Sequence, residues 1–136
     1  YRRCLVVASG WYEWSAPKTP WHLQLGDGGI IAFAGLRYGQ KDQQRFVIIT
    51  TNADAGLADI HNRAPLVLSP DAYEAWIGGN TATVASLLRP SPANWFNWYR
   101  VGPDVGKVIH DHPALAKPLT DDELRWKSAP QGDLFA

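Results

Sequence analysis

The chain has 136 residues, 19% charged and 46% hydrophobic, which predicts one folded domain and excludes wholesale disorder. Its 13 basic and 13 acidic side chains cancel, which excludes a strong overall attraction to nucleic acid. The longest apolar run, residues 30–36, is too short to cross a bilayer, and no basic-then-apolar targeting segment opens the chain. We therefore expect a soluble, cytoplasmic protein without membrane contact.

The cysteine content and the first residue indicate the setting of the domain. Cys4 is the only cysteine, which excludes an internal disulfide or a multi-cysteine zinc site and fits a reducing compartment. The chain begins at Tyr1 and contains no methionine. Because an initiator methionine is normally removed only before a small residue, we expect upstream sequence to be missing. We treat residues 1–136 as a single domain without its amino-terminal portion.

The first half of the chain predicts consecutive β-strands. Its apolar runs are short, rich in β-branched and aromatic residues, and separated by breaks such as the proline-punctuated turn at residues 15–20. The glycine-rich residues 26–29 are a strong hairpin signal. The predicted strands cover residues 3–8, 11–14, 21–25, 30–38 and 45–51.

The second half predicts short helices and two further strands. Residues 52–59 predict a helical turn, and Ser69 followed by Pro70 is typical of a helix start, with residues 78–79 (GG) as its end. The other predicted elements are a strand at 64–68, a helix at 83–88, a strand at 95–101, and an irregular remainder ending in a tail at 130–136. The expected fold class is α+β, a strand-dominated, barrel-like sheet with a few short helices.

Glu13 is the most unusual acidic residue, because it stands between Tyr12 and Trp14 in an aromatic segment. Burial there would raise the pKa of its carboxyl, and a carboxyl that titrates near neutrality suits general acid–base catalysis. The structural alternative is a glutamate that faces solvent on an alternating strand. Position alone leaves both interpretations open.

His61 precedes Asn62 and Arg63 in a predicted turn between two apolar segments. A loop imidazole beside a guanidinium is suited to relaying protons or stabilising an oxyanion at neutral pH. The alternative is that His61 only caps the helical turn before it.

Four further side chains are candidates for nucleic-acid contacts. Arg63 could hold a phosphate with two hydrogen bonds, and Trp14 could stack on an exposed base. Arg2 and Arg3 would extend the same basic patch. The alternatives are surface ion pairs for the arginines and core packing for Trp14, since most of the seven tryptophans must belong to the core.

A metal site and a cysteine nucleophile are not expected. His110 and His112 would share one face of a strand, but no third ligand follows at a recognisable spacing. Cys4 lies within an apolar strand and is interpreted as a small buried hydrophobic residue. We predict no metal and no cofactor.

Several blocks of the sequence together resemble one family. Residues 3–6 (RCLV) followed by residues 10–14 (GWYEW) resemble a segment of the SOS-response-associated peptidase (SRAP) family. Further blocks of that family are matched in the same order by residues 33–36 (FAGL), 46–51 (FVIITT), 60–65 (IHNRAP) and 132–135 (GDLF).

The resemblance implies a protein of the DNA damage response. Members of the family bind single-stranded DNA and form a covalent bond to abasic sites, and they are also described as autoproteolytic peptidases. By this resemblance Glu13 and His61 are catalytic, and Trp14 and Arg63 contact DNA. The implied partner is single-stranded DNA that contains abasic sites.

The resemblance also implies that the nucleophile lies elsewhere. The family uses a cysteine at the mature amino terminus, in a Cys-Gly-Arg start, and a catalytic asparagine further along; both precede the segment that Tyr1 matches. The adduct needs an amine and a thiol on one residue, because the amine forms an imine with the sugar aldehyde and the thiol then closes a thiazolidine ring. Cys4 has its nitrogen in an amide and cannot substitute.

The sequence also departs from the family's usual residues at three other positions. Val7 replaces a proline, Trp11 a phenylalanine and Arg37 a tryptophan.

The favoured hypothesis is the carboxyl-terminal portion of a SRAP domain that acts on abasic single-stranded DNA. A rival hypothesis is a non-catalytic single-stranded DNA-binding remnant without the cysteine nucleophile. A metal-free peptidase or small hydrolase is a third, although the sequence shows no complete nucleophile constellation for it. A purely structural interaction domain is the remaining alternative.

Overall fold

The structure, a computed structural model, describes residues 2–128 and confirms the α+β class. The predicted tail at 130–136 lies outside these residues. The described strands form three antiparallel sheets, ordered β1-β4-β5, β2-β3-β8 and β6-β7. The strands are β1 (Arg2–Ala8), β2 (Trp11–Ala16), β3 (Thr19–Leu25), β4 (Ile31–Tyr38), β5 (Arg45–Ile48), β6 (Thr50–Asn52), β7 (Arg63–Pro65) and β8 (Phe96–Arg100), and the α-helices are α1 (Ala55–Ala58), α2 (Tyr73–Gly78), α3 (Thr81–Leu87) and α4 (Asp121–Ser128).

Strand β4 has two successive partners along one of its edges. One edge of β4 pairs with the whole of β1. On the opposite edge, β5 pairs only with residues 35–38 of β4. Beyond them the N–H of Ala34 donates to the carbonyl of Leu66 at 2.9 Å, and the N–H of Leu68 donates to the carbonyl of Ala32 at 3.0 Å. The prediction of a single strand at 45–51 is therefore wrong. The chain separates from β4 after β5, and the next residues form β6, which pairs with β7 instead.

The core has two layers, one on each face of the β1-β4-β5 sheet. Alternate side chains of a strand point to opposite faces, so neighbouring residues of β4 belong to different layers. Trp11 joins the first layer to the β2-β3-β8 sheet, with edge-on ring contacts to Phe33 at 5.8 Å and Phe96 at 5.3 Å. The first layer is built around Leu23, Ile31, Phe33, Leu57, Ile60, Val67 and Phe96, and the second, under α2 and α3, around Ala34, Leu66, Leu68 and Trp76.

The sequence-based expectation of an irregular segment after residue 101 is wrong, because α4 forms there. Its first turn is a capping box: the N–H of Thr120 donates to Oε2 of Glu123 at 2.8 Å, and the N–H of Glu123 donates to Oγ1 of Thr120 at 3.3 Å. Two short 3-10 turns, Pro103–Gly106 and Pro113–Ala116, precede it.

His22 is a buried histidine on the face of β3 that points away from the two core layers. Its ring lies between Tyr12 and Tyr99, with centroid distances of 5.2 and 5.3 Å. A side chain at Gly10 would collide with it, because a Cβ there would lie 2.6 Å from Nε2 of His22. Nδ1 of His22 is buried without a hydrogen-bond partner in the described part of the chain, and burial lowers the pKa of this histidine.

We expect acidification to destabilise the fold through His22. The pKa of His22 is lower in the folded state than the ordinary value of about 6.5, so the unfolded chain binds more protons between the two values. Stability is then lost as the pH falls through 6.5 toward the folded-state pKa. In urea unfolding at pH 7.5 and pH 5.0, His22→Phe, which keeps a ring between the tyrosines, should lose less stability on acidification than the parent. Equal losses in both proteins would contradict this.

Candidate functional site

Glu13, His61 and Arg63 line one cleft, although they come from β2, from the loop after α1 and from β7. The cleft is narrow, with a volume of about 10 Å³, and apolar side chains form the rest of its wall. It is lined by Trp11, Glu13, Leu23, Leu57, Ile60, His61, Arg63 and Ala64. A carboxylate, an imidazole and a guanidinium thus meet over an apolar floor.

Strand β2 presents the carboxylate of Glu13 to the cleft. Glu13 and Trp11 are two residues apart and therefore share one face of the strand. Glu13 is half-buried, and its Oε1 accepts the backbone N–H of Trp14 at 3.0 Å. Among the described residues, Oε2 has no hydrogen-bond partner. One carboxylate oxygen is thereby fixed, and the other is free to exchange a proton with a ligand.

His61 is held through Nδ1 by the backbone of Arg63. Nδ1 lies 3.1 Å from both the N–H and the carbonyl oxygen of Arg63. The neutral ring with its proton on Nε2 accepts the N–H, whereas a ring protonated at Nδ1 donates to the carbonyl. Either form keeps a partner at Nδ1, so Nε2 is the nitrogen left to act on a ligand. The buried neighbour Ile60 anchors this loop in the core.

The guanidinium of Arg63 is positioned by neutral oxygens of β6. It donates to Oδ1 of Asn52 at 3.2 Å, and to the carbonyl and Oγ1 of Thr50 at 2.7 and 2.8 Å. In residues 2–128 no carboxylate forms an ion pair with it. The side chain is therefore held in one orientation while its charge stays unneutralised, as an anion-binding arginine requires.

Sequence reasoning missed three residues in or beside the cleft. Thr50 and Asn52 alternate on β6 opposite β7, and this i, i+2 spacing was the available signal. Trp11 lines the cleft where an indole had been expected from Trp14.

Three of the candidate residues lie outside the cleft. Trp14 follows Glu13 directly, so strand alternation puts its 37% exposed indole on the other face of β2. Arg2 is exposed at the start of β1. Arg3 donates from Nε to the carbonyl of Trp76 and from Nη2 to that of Gly79 at 2.6 Å. Arg3 therefore binds the carboxyl-terminal carbonyls of α2, where a cation is stabilising.

The rings of His110 and His112 lie 6.1 Å apart, and Nε2 of His110 is 4.0 Å from Asp104. Within residues 2–128 no group of three or more histidine, cysteine, aspartate or glutamate side chains is arranged to hold a metal ion. The same part of the chain contains no helix that is long and apolar enough to cross a membrane.

Comparison with known proteins identifies the family. Residues 1–108 match the family described as "SOS response associated peptidase (SRAP)". The chain belongs to the SRAP family. The resemblance found in the GWYEW and IHNRAP blocks is thereby confirmed.

The relatives of this SRAP chain are longer than the chain itself. It is similar to the abasic site processing protein YedK of Escherichia coli, with 36% identity over 86% of this chain and 58% of that protein. An abasic site processing protein of Saccharomyces cerevisiae is 33% identical over 90% of this chain and 37% of its own length. A crystal structure of a Bacteroides thetaiotaomicron protein superposes with a TM-score of 0.73 at 29% identity, covering 88% of this chain and 57% of that one. The chain thus spans about half the length of the proteins it matches.

The contacts of Arg3 predict a role in stability. Arg3→Ala removes the charged donor from the end of α2, so we expect the free energy of unfolding to fall by about 2 kcal/mol in urea. The neighbouring Arg2→Ala is the control, because Arg2 is exposed and makes no such contact; its effect should stay within about 0.5 kcal/mol. An Arg3→Ala protein as stable as the parent would contradict this assignment.

Proposed function

We propose that this SRAP chain binds single-stranded DNA at abasic sites and supplies the acid–base groups of a crosslinking reaction. The convergence of Glu13, His61 and Arg63 in one cleft carries the proposal. Its support is that the relatives are named abasic site processing proteins. A cleft with one cation and two proton-transfer groups suits an anionic substrate with a reactive carbonyl.

In the proposed reaction the nucleophile is an amino-terminal cysteine, as the family resemblance implies. Its amine adds to the sugar aldehyde and the carbinolamine loses water, which gives an imine; its thiol then adds to the imine carbon and closes a thiazolidine ring. Glu13 transfers protons in the dehydration and the ring closure. His61, through Nε2, holds or protonates the ring oxygen of the sugar so that the open aldehyde is favoured.

The described lining of the cleft includes no serine, threonine or cysteine side chain. Cys4 does not fill this gap, because it lies within β1 with its nitrogen in a peptide bond and pairs with Gly35. The cleft is therefore better suited to an external amine–thiol nucleophile than to peptide hydrolysis by a nucleophile of its own.

The proposed DNA contacts lie on both sides of β2, one inside the cleft and one outside it. In the cleft, Arg63 binds a phosphate next to the lesion, since its charge is unneutralised and its orientation is fixed by Thr50 and Asn52. Outside it, the exposed indole of Trp14 stacks on a neighbouring base.

The acid–base role of Glu13 is tested in a protein in which the amino-terminal portion of a family member, with both its Cys-Gly-Arg start and its catalytic asparagine, precedes Tyr1. Glu13→Gln retains an oxygen for the Trp14 N–H but cannot transfer the proton, so we expect adduct formation with an abasic oligonucleotide to slow about a hundredfold. The adduct is measured by denaturing electrophoresis, with Glu74→Gln on the exposed side of α2 as control. An unchanged rate removes Glu13 from the mechanism. Salt-dependent binding without any adduct favours the non-catalytic binding remnant.

The role of Arg63 is tested by the salt dependence of binding to single-stranded DNA. Each phosphate contact contributes about 0.7 to the slope of log K against log salt concentration, so Arg63→Gln should lower that slope by about this amount. Arg125→Gln, whose arginine is already paired with Asp122, should leave it unchanged. Equal slopes for the parent and Arg63→Gln would refute the phosphate contact.

A further inference from the structure

A second cationic surface lies at the Tyr38 end of the β1-β4-β5 sheet. Arg2 stands directly opposite Arg37, and Arg37 stands directly opposite Phe46 of β5. Directly opposed residues of antiparallel strands share one face, with Cβ atoms about 5 Å apart. We call these three residues the arginine row.

The charges of the arginine row are not neutralised. Among the described residues, no carboxylate lies within 4.0 Å of either guanidinium, and Arg37 donates only to the neutral Oε1 of Gln44 at 3.3 Å. Like charges directly opposite each other destabilise a sheet. The stability of the fold therefore does not explain why two arginines face each other here.

Two open grooves adjoin the arginine row. Arg2 and Arg37 line the first, which has a volume of about 330 Å³. The second holds about 610 Å³ and shares Tyr38 and Gly39 with the first; it adds Lys41, against the carboxylate of Asp42. Arg45 also lines it, but Arg45 pairs with Tyr38 and so lies on the opposite face of the sheet from the arginine row. The arginine row and the adjoining turn thus carry three cationic side chains, Arg2, Arg37 and Lys41, and one anionic one. Such a surface is suited to a polyanion.

The arginine row and the cleft are connected along the chain. From Phe46 the chain runs through Ile48 to Thr50, which holds the guanidinium of Arg63. Four residues of extended chain span about 13 Å. A DNA strand bound by Arg63 therefore has the row within a few nucleotides.

We propose that the arginine row binds the phosphate backbone of single-stranded DNA outside the cleft, with Phe46 as a stacking surface for a base. The inference rests on the proposed function, because it extends the strand that Arg63 holds. Paired guanidinium groups match phosphate oxygens, and cations interleaved with an exposed aromatic ring are typical of surfaces that bind single strands. Phe46 is 58% exposed, which leaves its ring accessible to a base.

The test compares binding and stability in the same variants. The 136-residue chain is titrated with an oligothymidylate of about 20 nucleotides between about 50 and 200 mM salt, and its thermal unfolding is followed in parallel. In Arg2→Gln/Arg37→Gln we expect the salt slope to fall by about 1.4, while Tm does not fall because the like-charge repulsion is relieved. Arg2→Lys/Arg37→Lys keeps both charges and should retain the parent slope. Arg89→Gln, an exposed arginine that lines neither groove, should also retain it.

The contribution of Phe46 can be measured separately, because stacking involves no charge and so does not affect the salt dependence of binding. Phe46→Ala should weaken binding about tenfold with an unchanged salt slope. An unchanged affinity overturns the stacking role.

The remaining outcomes separate the inference from the proposed function. If the parent binds and Arg63→Gln lowers the slope, but Arg2→Gln/Arg37→Gln does not, the arginine row is overturned and the cleft stands. If slope and Tm fall together in the double glutamine variant, the loss reflects unfolding, and the inference is again overturned. If the parent shows no salt-dependent binding, the proposed function fails together with the inference.

Discussion

The hydrogen bonds around Ala34 are the constraint on which the cleft depends. Ala34 is fully buried; its N–H donates to the carbonyl of Leu66, its carbonyl accepts from Ile49, and the N–H of Leu66 donates to the carbonyl of Ile49. The chain leaves β4 at Ile49 and returns to it at Leu66. The three bonds pair the N–H and the carbonyl of Ala34, Ile49 and Leu66, as buried backbone groups require. The excursion between them contains β6, α1 and β7, and so it carries both His61 and Arg63 to Glu13.

The polar groups of the cleft are positioned largely by the backbone. Backbone groups hold the carboxylate of Glu13 and Nδ1 of His61, and the oxygens of β6 hold Arg63. The backbone of a strand is already ordered by folding, so using it to hold a side chain adds no further long side chain to be ordered. Each group keeps one atom free: Oε2 of the carboxylate, Nε2 of the imidazole, and the unneutralised face of the guanidinium. The cleft is thus prepared for a ligand without an ion pair that the ligand would have to break.

Local patterns predicted most elements but not how they meet. The strands of the first half and the helix after Ser69 follow from β-branched runs and helix-start residues, because those preferences act within a few residues. The split of residues 45–51 could not be predicted, since a change of partner leaves no trace in hydrophobic periodicity. The meeting of Glu13 and His61 was expected only from the family resemblance, because it depends on pairing between distant strands. The exclusion of Trp14 from the cleft was predictable, however, from the alternation of side chains along β2.

Net charge describes this protein poorly, because the pairing of charges differs along the chain. The 13 basic and 13 acidic side chains cancel, yet the ion pairs recorded between described residues all lie within residues 104–125. Within residues 2–128, Arg63 and Arg37 bind only neutral oxygens, and Arg2 has no side-chain partner. At physiological salt, charges more than about 8 Å apart are largely screened, so an approaching strand responds to the nearest cations and not to the distant carboxylates. A neutral chain can therefore present a local cationic path, and the arrangement of unpaired arginines, more than their number, determines where an anion binds.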